Sequence, residues 1–471
     1  MRILLINSHA YDIRLPWSQW HQPTGLLQLG AMLKRQGCDV RFIDCLGWHP
    51  KQRTMKRKIR KIEVENYEID LWRFGGEWSE LSRQIKSYQS EGWVPDQVYV
   101  SCSTTIWWEA ARDLITYLKT KWFPKSEVLL GGVYPTLEPE HARLHTNADR
   151  IVTGSIPDAR NEIPDFGLYT PDRRPRFAGI YLYASQNVRE VEAGEQVFPR
   201  PPETIAQEIA DKAALGVTEF AFFDHEIRLD QREHFIQVLR AVAALELDVR
   251  FIAIANISPQ LIDGEVAQWM KAARYRQVYL KCDVAYNSEG AIYTTPLEAY
   301  REGVEALQRE VGFKPRTGDV TAMLLVGNPY ENLEGVTERL VKLASIVGAV
   351  NLVQYQYSSG TIAGELYASL IHRGNGNLDL TRLNCKFYPL AQLSGIPFEH
   401  YLELTRLAAL LNSKYRSKTF DFLGDNLVAQ AIQESLRDEG WNPFKHSTPY
   451  SQAEIIPLIP VQRSKTNDNQ E

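Results

Sequence analysis

Gln97-Val98-Tyr99-Val100-Ser101-Cys102, then Trp107–Leu118, then Glu127-Val128-Leu129-Leu130-Gly131-Gly132: this stretch decides the fold. Its outer pieces are short and apolar, opened by Pro95-Asp96 and closed by Gly131-Gly132, as buried strands are. The piece between them repeats apolar residues at helical spacing. Strand, helix and strand in that order imply parallel pairing, because parallel strands need a crossover. The pattern extends to both sides. Arg2–Asn7 is a β-branched apolar run, and Pro23-Thr24-Gly25 opens a helix carrying Leu26, Leu27, Leu29, Met32 and Leu33 that Gly37 stops. Asp39–Ile43 and Asp149–Val152 complete the set, the latter ended by Gly154. The expectation for residues 1–154 is an α/β domain with a doubly wound, Rossmann-like parallel sheet.

Residues 155–176, with Pro157, Pro164, Pro171 and Pro175 and little periodicity, read as a linker. Strand and helix then alternate again. Strands are expected at Gly179–Tyr183, Glu219–Phe223, Val249–Ile254, Gln277–Cys282, Asp319–Val326 and Asn351–Tyr355. Helices are expected at Pro201–Leu215, Arg232–Leu245, Asp263–Lys271, Leu297–Val311 and Glu334–Ile346. Such a run implies a complete or partial parallel (β/α) barrel over residues 177–395, with a second open sheet as the alternative. Residues 396–462 read as a helical region bearing Leu402, Leu404, Leu407, Leu410 and Leu411, and 463–471 as a polar, disordered tail.

Composition narrows the function. Of 471 residues, 44% are hydrophobic and 24% charged, as in globular proteins of two or three domains. A net charge of -5 gives no reason to expect nucleic acid as partner. No apolar run reaches the roughly 18 residues of a membrane span, and the start is too soon polar for a signal peptide, so a cytoplasmic protein is expected. The basic segment Lys51–Lys61 reads as a solvated helix or loop face, with phosphate or partner contact as the rival. The five cysteines, Cys38, Cys45, Cys102, Cys282 and Cys385, are widely spaced, with no CxxC, and read as buried thiols of a reducing compartment.

Several stretches resemble the cobalamin-binding radical SAM family. In the first third these are Gln22-Pro23-Thr24-Gly25-Leu26-Leu27-Gln28-Leu29, Thr104-Thr105-Ile106-Trp107-Trp108, Gly131-Gly132-Val133-Tyr134-Pro135-Thr136-Leu137 with Pro139-Glu140-His141-Ala142, and Asp149–Gly154. Further on, Phe220-Ala221-Phe222-Phe223-Asp224 is similar to the family's second barrel strand and its acidic end. Asn256 follows the third strand as in relatives, Asp283 stands where many carry glutamate, and Gly327-Asn328-Pro329 with Glu331 looks like the loop that contacts the SAM adenosyl part. Gly360-Thr361 resembles a late loop. The likeness spans roughly residues 1–365, and its strength lies in the order and spacing of the pieces.

The resemblance implies a cobalamin-binding domain followed by a radical-SAM-type barrel. It also implies CxxxCxxC after the first barrel strand, where three thiolates hold a [4Fe–4S] cluster. That place reads Tyr183-Ala184-Ser185-Gln186-Asn187-Val188-Arg189-Glu190-Val191-Glu192-Ala193-Gly194, without cysteine or histidine. Iron–sulfur sites need such ligands, so no cluster of the chain's own is expected. The Asp-x-His-x-x-Gly motif of a lower axial histidine is also absent, as it often is in this family.

Candidate residues follow. Thr24, Gly25, Ser101, Ser103, Thr104, Gly131, Gly132 and Gly154 are expected along a cobalamin-like cleft, where small residues leave room for a flat ligand's tail; the rival is that Gly131-Gly132 serves only a tight turn. Asn256, Asp283, Gly327 and Asn328 are expected around a SAM-like pocket. Asp224, His225 and Asp283, at strand ends, are the candidates for acid–base work. His141 and His145, four apart, can share a helix face, but no third ligand is evident and a structural pair is the simpler reading. Trp107-Trp108 reads as core, with stacking on a planar ligand as the rival. The leading expectation is a pseudoenzyme-like member that binds a corrinoid, a tetrapyrrole or a partner protein. The alternatives are cobalamin- or SAM-dependent methyl transfer without a cluster, and a cluster supplied by a partner chain.

Overall fold

The computed structural model describes residues 1–412 except 14–21, 48–55, 65–66, 155, 161, 184–197, 225, 253–255, 283, 288–289, 315–316, 329–330, 332, 356, 374–377, 384–403, 406 and 410, together with 461–462. His225, Asp283, Cys385 and residues 184–194 of the cysteine-free segment therefore lie outside the described residues.

In chain order the first part runs β1 (Arg2–Asn7), β2 (Ala10–Asp12), α1 (Thr24–Arg35), β3 (Asp39–Asp44), β4 (Lys56–Val64), β5 (Tyr67–Phe74), α2 (Trp78–Ser90), β6 (Gln97–Ser101), α3 (Trp108–Tyr117), β7 (Glu127–Gly131), α4 (Val133–Leu137), α5 (Pro139–His145) and β8 (Arg150–Ile151). Five strands form one parallel sheet ordered β3-β1-β6-β7-β8. Numbered along the chain, that order is 2-1-3-4-5, an open sheet of doubly wound type whose switch point lies between β1 and β6. Ile3, Leu4, Leu5 and Ile6 are all fully buried, as expected of a central strand covered on both faces. Each such side chain contributes about 2 kcal/mol of hydrophobic stabilisation.

The basic segment differs from its expected form. Lys56–Val64 is a strand, paired antiparallel with β5, which also pairs with β2. Ile69 and Leu71 of β5 are buried, while Lys58 and Lys61 reach Asp70 and Glu68 across the pair. Arg60 forms two hydrogen bonds with the Glu109 carboxylate of α3, at 2.7 and 3.0 Å. Lys58, Arg60 and Lys61 are thus exposed, each with an acidic partner on β5 or α3. Val461 and Gln462 pair antiparallel with Glu68 and Tyr67 of β5.

The second part runs β9 (Phe177–Ile180), α6 (Pro202–Ala214), β10 (Glu219–Phe222), β11 (Glu226–Ile227), α7 (Arg232–Ala243), β12 (Arg250–Phe251), β13 (Asn256–Ile257), α8 (Gly264–Ala272), β14 (Val278–Lys281), β15 (Val284–Asn287), β16 (Gly290–Tyr293), α9 (Leu297–Ala306), β17 (Val320–Val326), α10 (Leu333–Val347), β18 (Val350–Gln354) and α11 (Ile362–Arg373). One parallel sheet is β12-β10-β9 and another is β11-β13-β14-β17-β18. Phe251 bridges in parallel to Tyr275 just before β14, so the two sheets continue one another in chain order. Of the expected third strand, Val249–Ile254, Arg250–Phe251 is a strand, and residues 253–254 lie outside the described residues. β15 and β16 form an antiparallel hairpin that sequence reading does not anticipate. Val278, Leu280, Ala322 and Leu324 join the main core, whereas Tyr279, Met323 and Val353 pack together on the opposite face.

The proline-rich connection packs against the first sheet. Phe166 and Tyr169 are buried, and Tyr169 donates to Asp44 at 3.0 Å. Gln22 joins the two parts more directly. Its amide donates to Phe177 O at 2.5 Å and accepts from Gly179 N at 2.9 Å, covering the free edge of β9. Among the described residues, no helix is long and apolar enough to cross a membrane.

Candidate functional site

Two edges carry the candidate residues. The first is the carboxyl edge of the first sheet. Ser8 N donates to Ser101 O and Cys102 N to Gly131 O, which closes β1, β6 and β7 to a common end. Beyond it Gly132 turns with φ +103, and a Cβ there would stand 2.5 Å from Cys102 O. Only glycine fits so close to that backbone, so Gly132 serves the strand-to-helix turn. Thr136 Oγ1 donates to Gly132 O at 2.7 Å and accepts from Gly154 N at 2.9 Å, tying the ends of β7 and β8 together. Gly25 is different: a Cβ there meets nothing within 4 Å. Gly25, Gly132, Thr153 and Gly154 are exposed, Ser101, Ser103, Thr104 and Gly131 half-buried, and Thr24 buried beneath them. The result is a shelf of small residues beside the switch point.

The second edge is the carboxyl end of the later strands. Asp224 is buried, and its two oxygens accept from Leu182 N at 2.8 Å and Tyr183 N at 3.2 Å. Burial pushes its carboxyl up to about 7. The observed work of Asp224 is therefore to hold the end of the first strand, where the cysteine-free segment begins. Arg200, after that segment, donates from Nη1 to Tyr181 O at 2.8 Å and from Nη2 to Glu208 at 2.5 Å. Lys212, as buried as Glu208, donates to the other Glu208 oxygen at 2.5 Å.

Glu226 and Lys281 form an ion pair between the start of β11 and the end of β14. Asn256 stands between those strands, in register with Glu226 and Tyr279, and its Oδ1 is buried without a partner. Gly327 N and Asn328 N both donate to the Glu331 carboxylate, Gly327 at 2.9 Å to one oxygen and Asn328 at 3.2 Å to the other. Burial pushes Glu331 up to about 7. Tyr367 donates to Gly327 O, and Asn328 Nδ2 to Leu325 O at 3.2 Å. Asp224 and Gly327 thus follow β10 and β17, Lys281 ends β14, and Glu226 and Asn256 open β11 and β13; the Glu226–Lys281 pair is the part that sequence reading misses.

Between the two edges, Ser359 Oγ, in the loop after β18, donates to Leu137 O of α4 at 3.1 Å. The described cysteines give no cluster. Cys45, Cys102 and Cys282 are buried and Cys38 is half-buried. Among the described residues, no three histidine, cysteine or acidic side chains stand together to hold a metal ion. Trp107 and Trp108 are both buried.

The fold is shared with cobalamin-dependent radical SAM enzymes. The radical S-adenosylmethionine methyltransferase TsrM from Kitasatospora setae, with tryptophan substrate and the SAM analog aza-SAM bound, matches at TM-score 0.51 and 15% identity, over 79% of this chain and 76% of that one. The same enzyme with cobalamin and a [4Fe-4S] cluster matches at TM-score 0.51 over 78% and 74%. The cobalamin-dependent S-adenosylmethionine radical enzyme OxsB, with aqua-cobalamin bound, matches at TM-score 0.51 and 10% identity, over 97% of this chain and 78% of that one. At these identities the likeness is one of fold. No family profile and no curated protein matches the sequence.

Proposed function

We propose that this chain is a corrinoid-binding member of the cobalamin-dependent radical SAM group that holds no iron–sulfur cluster of its own. On this reading residues 1–154 are the corrinoid domain, 177–395 a partial (β/α) barrel, and the segment between them a packed connection. The observation that carries it is the shelf of small residues at the first sheet's carboxyl edge. Gly25 and Gly154 face open space, and Ser101, Ser103 and Thr104 offer hydroxyls beside them. That suits a corrinoid, whose flat ring and polar tail need backbone approach and hydrogen bonds at a switch point. A bound corrinoid would supply a cobalt centre for carrying a methyl group. The chain's residues would bind and orient it, with the second edge facing it across the Ser359–Leu137 contact.

A cluster fits poorly. The segment 183–194 has no thiol or imidazole, and the described cysteines stand apart. No step is therefore assigned to one. The polar mouth formed by Glu226, Asn256 and Lys281 supports a second reading, in which the barrel binds SAM weakly for methyl transfer without a cluster.

The test is spectroscopic. Anaerobically purified chain, mixed with hydroxocobalamin and freed of excess, should retain a corrinoid spectrum. Iron and sulfide should stay far below four per chain after reconstitution, and Co(II) electron paramagnetic resonance should show no histidine nitrogen coupling. Gly25→Leu, on an exposed helical position, should abolish retention without changing the fold. Equal retention by that variant, or full cluster assembly, would overturn the reading.

A further inference from the structure

The first part holds a pair of imidazoles that the corrinoid reading does not use. His141 and His145 lie on α5, and their ring centroids are 4.4 Å apart. His141 is 6% exposed, with Nδ1 2.8 Å from Tyr134 Oη. Its Nε2 is buried and has no hydrogen-bond partner. His145 is half-buried, so the pair is reached from solvent at its outer member. Trp108 packs against both rings, 5.0 Å from His141 and 5.7 Å from His145, and walls the inner side.

A buried ring nitrogen without a partner costs free energy in either tautomer. If Nδ1 carries the proton and donates to Tyr134 Oη, Nε2 presents a bare lone pair. That is how metal-binding histidines are oriented, by a hydrogen bond on the nitrogen away from the ion. Histidines four apart on a helix turn to the same side and can chelate one ion.

We propose that His141 and His145 form a half-buried site, entered past His145, for a borderline divalent transition ion of the Zn2+ or Ni2+ type, with solvent completing the coordination on the His145 side. The chemistry favours nitrogen-preferring ions over Mg2+ or Ca2+, because the donor set is two imidazoles. Tyr134 is the positioning residue: it fixes the ring of His141 and touches no ion.

The test uses the untagged full chain, stripped with chelator and titrated with Zn2+ alone by calorimetry, without corrinoid. One equivalent should bind, and Co2+ should give visible ligand-field bands. His145→Ala leaves the core intact and should abolish that equivalent. Tyr134→Phe should weaken binding about tenfold, as loss of an orienting partner does. Nitrogen-15 shifts of the metal-free chain should show His141 protonated at Nδ1. Stoichiometric binding that survives in His145→Ala, absence of binding in the parent chain, or a proton on Nε2 would overturn the proposal. Because no corrinoid is added, failure here is separable from failure of the corrinoid reading.

Discussion

The two candidate edges are built oppositely. At the first sheet, Gly25, Thr153 and Gly154 leave an open shelf whose backbone is not covered by side chains. At the second, the charged groups are taken up internally, with the Asn256 Oδ1 named above left unpartnered: Asp224 takes the amides of Leu182 and Tyr183, Glu331 those of Gly327 and Asn328, and Glu226 the ammonium of Lys281. A ligand at the first edge replaces water. A ligand at the second must first displace internal partners, and that cost subtracts from its affinity. On the proposed reading, a corrinoid would therefore be held tightly at the first edge and SAM only weakly at the second.

The largest effect should come from removing the charge behind the closed edge. Glu208 is 1% exposed and pairs with both Lys212 and Arg200. Glu208→Leu leaves two cations without their carboxylate, and urea unfolding should show a loss of about 3–5 kcal/mol. A loss under about 1 kcal/mol would mean that the closed edge does not depend on that charge, and the contrast would weaken.

Stability against pH should separate the edges next. Asp224 and Glu331 have folded values raised to about 7, from ordinary values of 3.8 and 4.5. Their stabilisation is present below those ordinary values and is lost as pH rises through about 7, by a few kcal/mol each at most. His9, at the end of β1, has the opposite sign. Burial, then the Arg73 charge, lowers it from 6.5 to about 3, so stability is lost as pH falls below 6.5. Denaturant midpoints from pH 4 to 8 should show Asp224→Asn with Glu331→Gln flattening the rise-in-pH loss, and His9→Phe flattening the acid loss. The same slope in all three proteins would erase the distinction.

Smaller effects test the shelf itself. Gly132→Ala places a Cβ against Cys102 O at positive φ and should cost about 2 kcal/mol by thermal unfolding. Gly25→Ala meets nothing and lies in α1, so it should be neutral or stabilise by up to about 1 kcal/mol. Equal costs at the two glycines would show that the shelf is a uniform turn scaffold.

Much of the architecture is written in the period of the sequence. Ile3–Ile6, Val98–Val100 and Val128–Leu130 are continuous apolar strands, and their spacing dictates crossover helices. The β4–β5 pair is harder to read, because charges on Lys56–Lys61 mask a strand whose partner carries the clear period-2 signal, Ile69 and Leu71 between Glu68, Asp70 and Trp72. The shelf's small residues can be seen in advance, but not the reason for Gly132, which rests on a contact with residue 102. The Glu226–Lys281 pair joins residues 55 apart in sequence, and no local pattern announces it. Asp224 stands out as an acid at a strand end, yet only the geometry shows that backbone amides occupy both of its oxygens.

Gln22 carries a further consequence. β9 is an edge strand, and the Gly179 amide finds its acceptor not in its own sheet but on a side chain that belongs to the other half of the molecule. The exchange of that one hydrogen with deuterium is therefore a clock for the separation of the halves. It should run independently of the Gly131 and Cys102 region, quicken in Gln22→Ala, and slow when a ligand bridges the two edges.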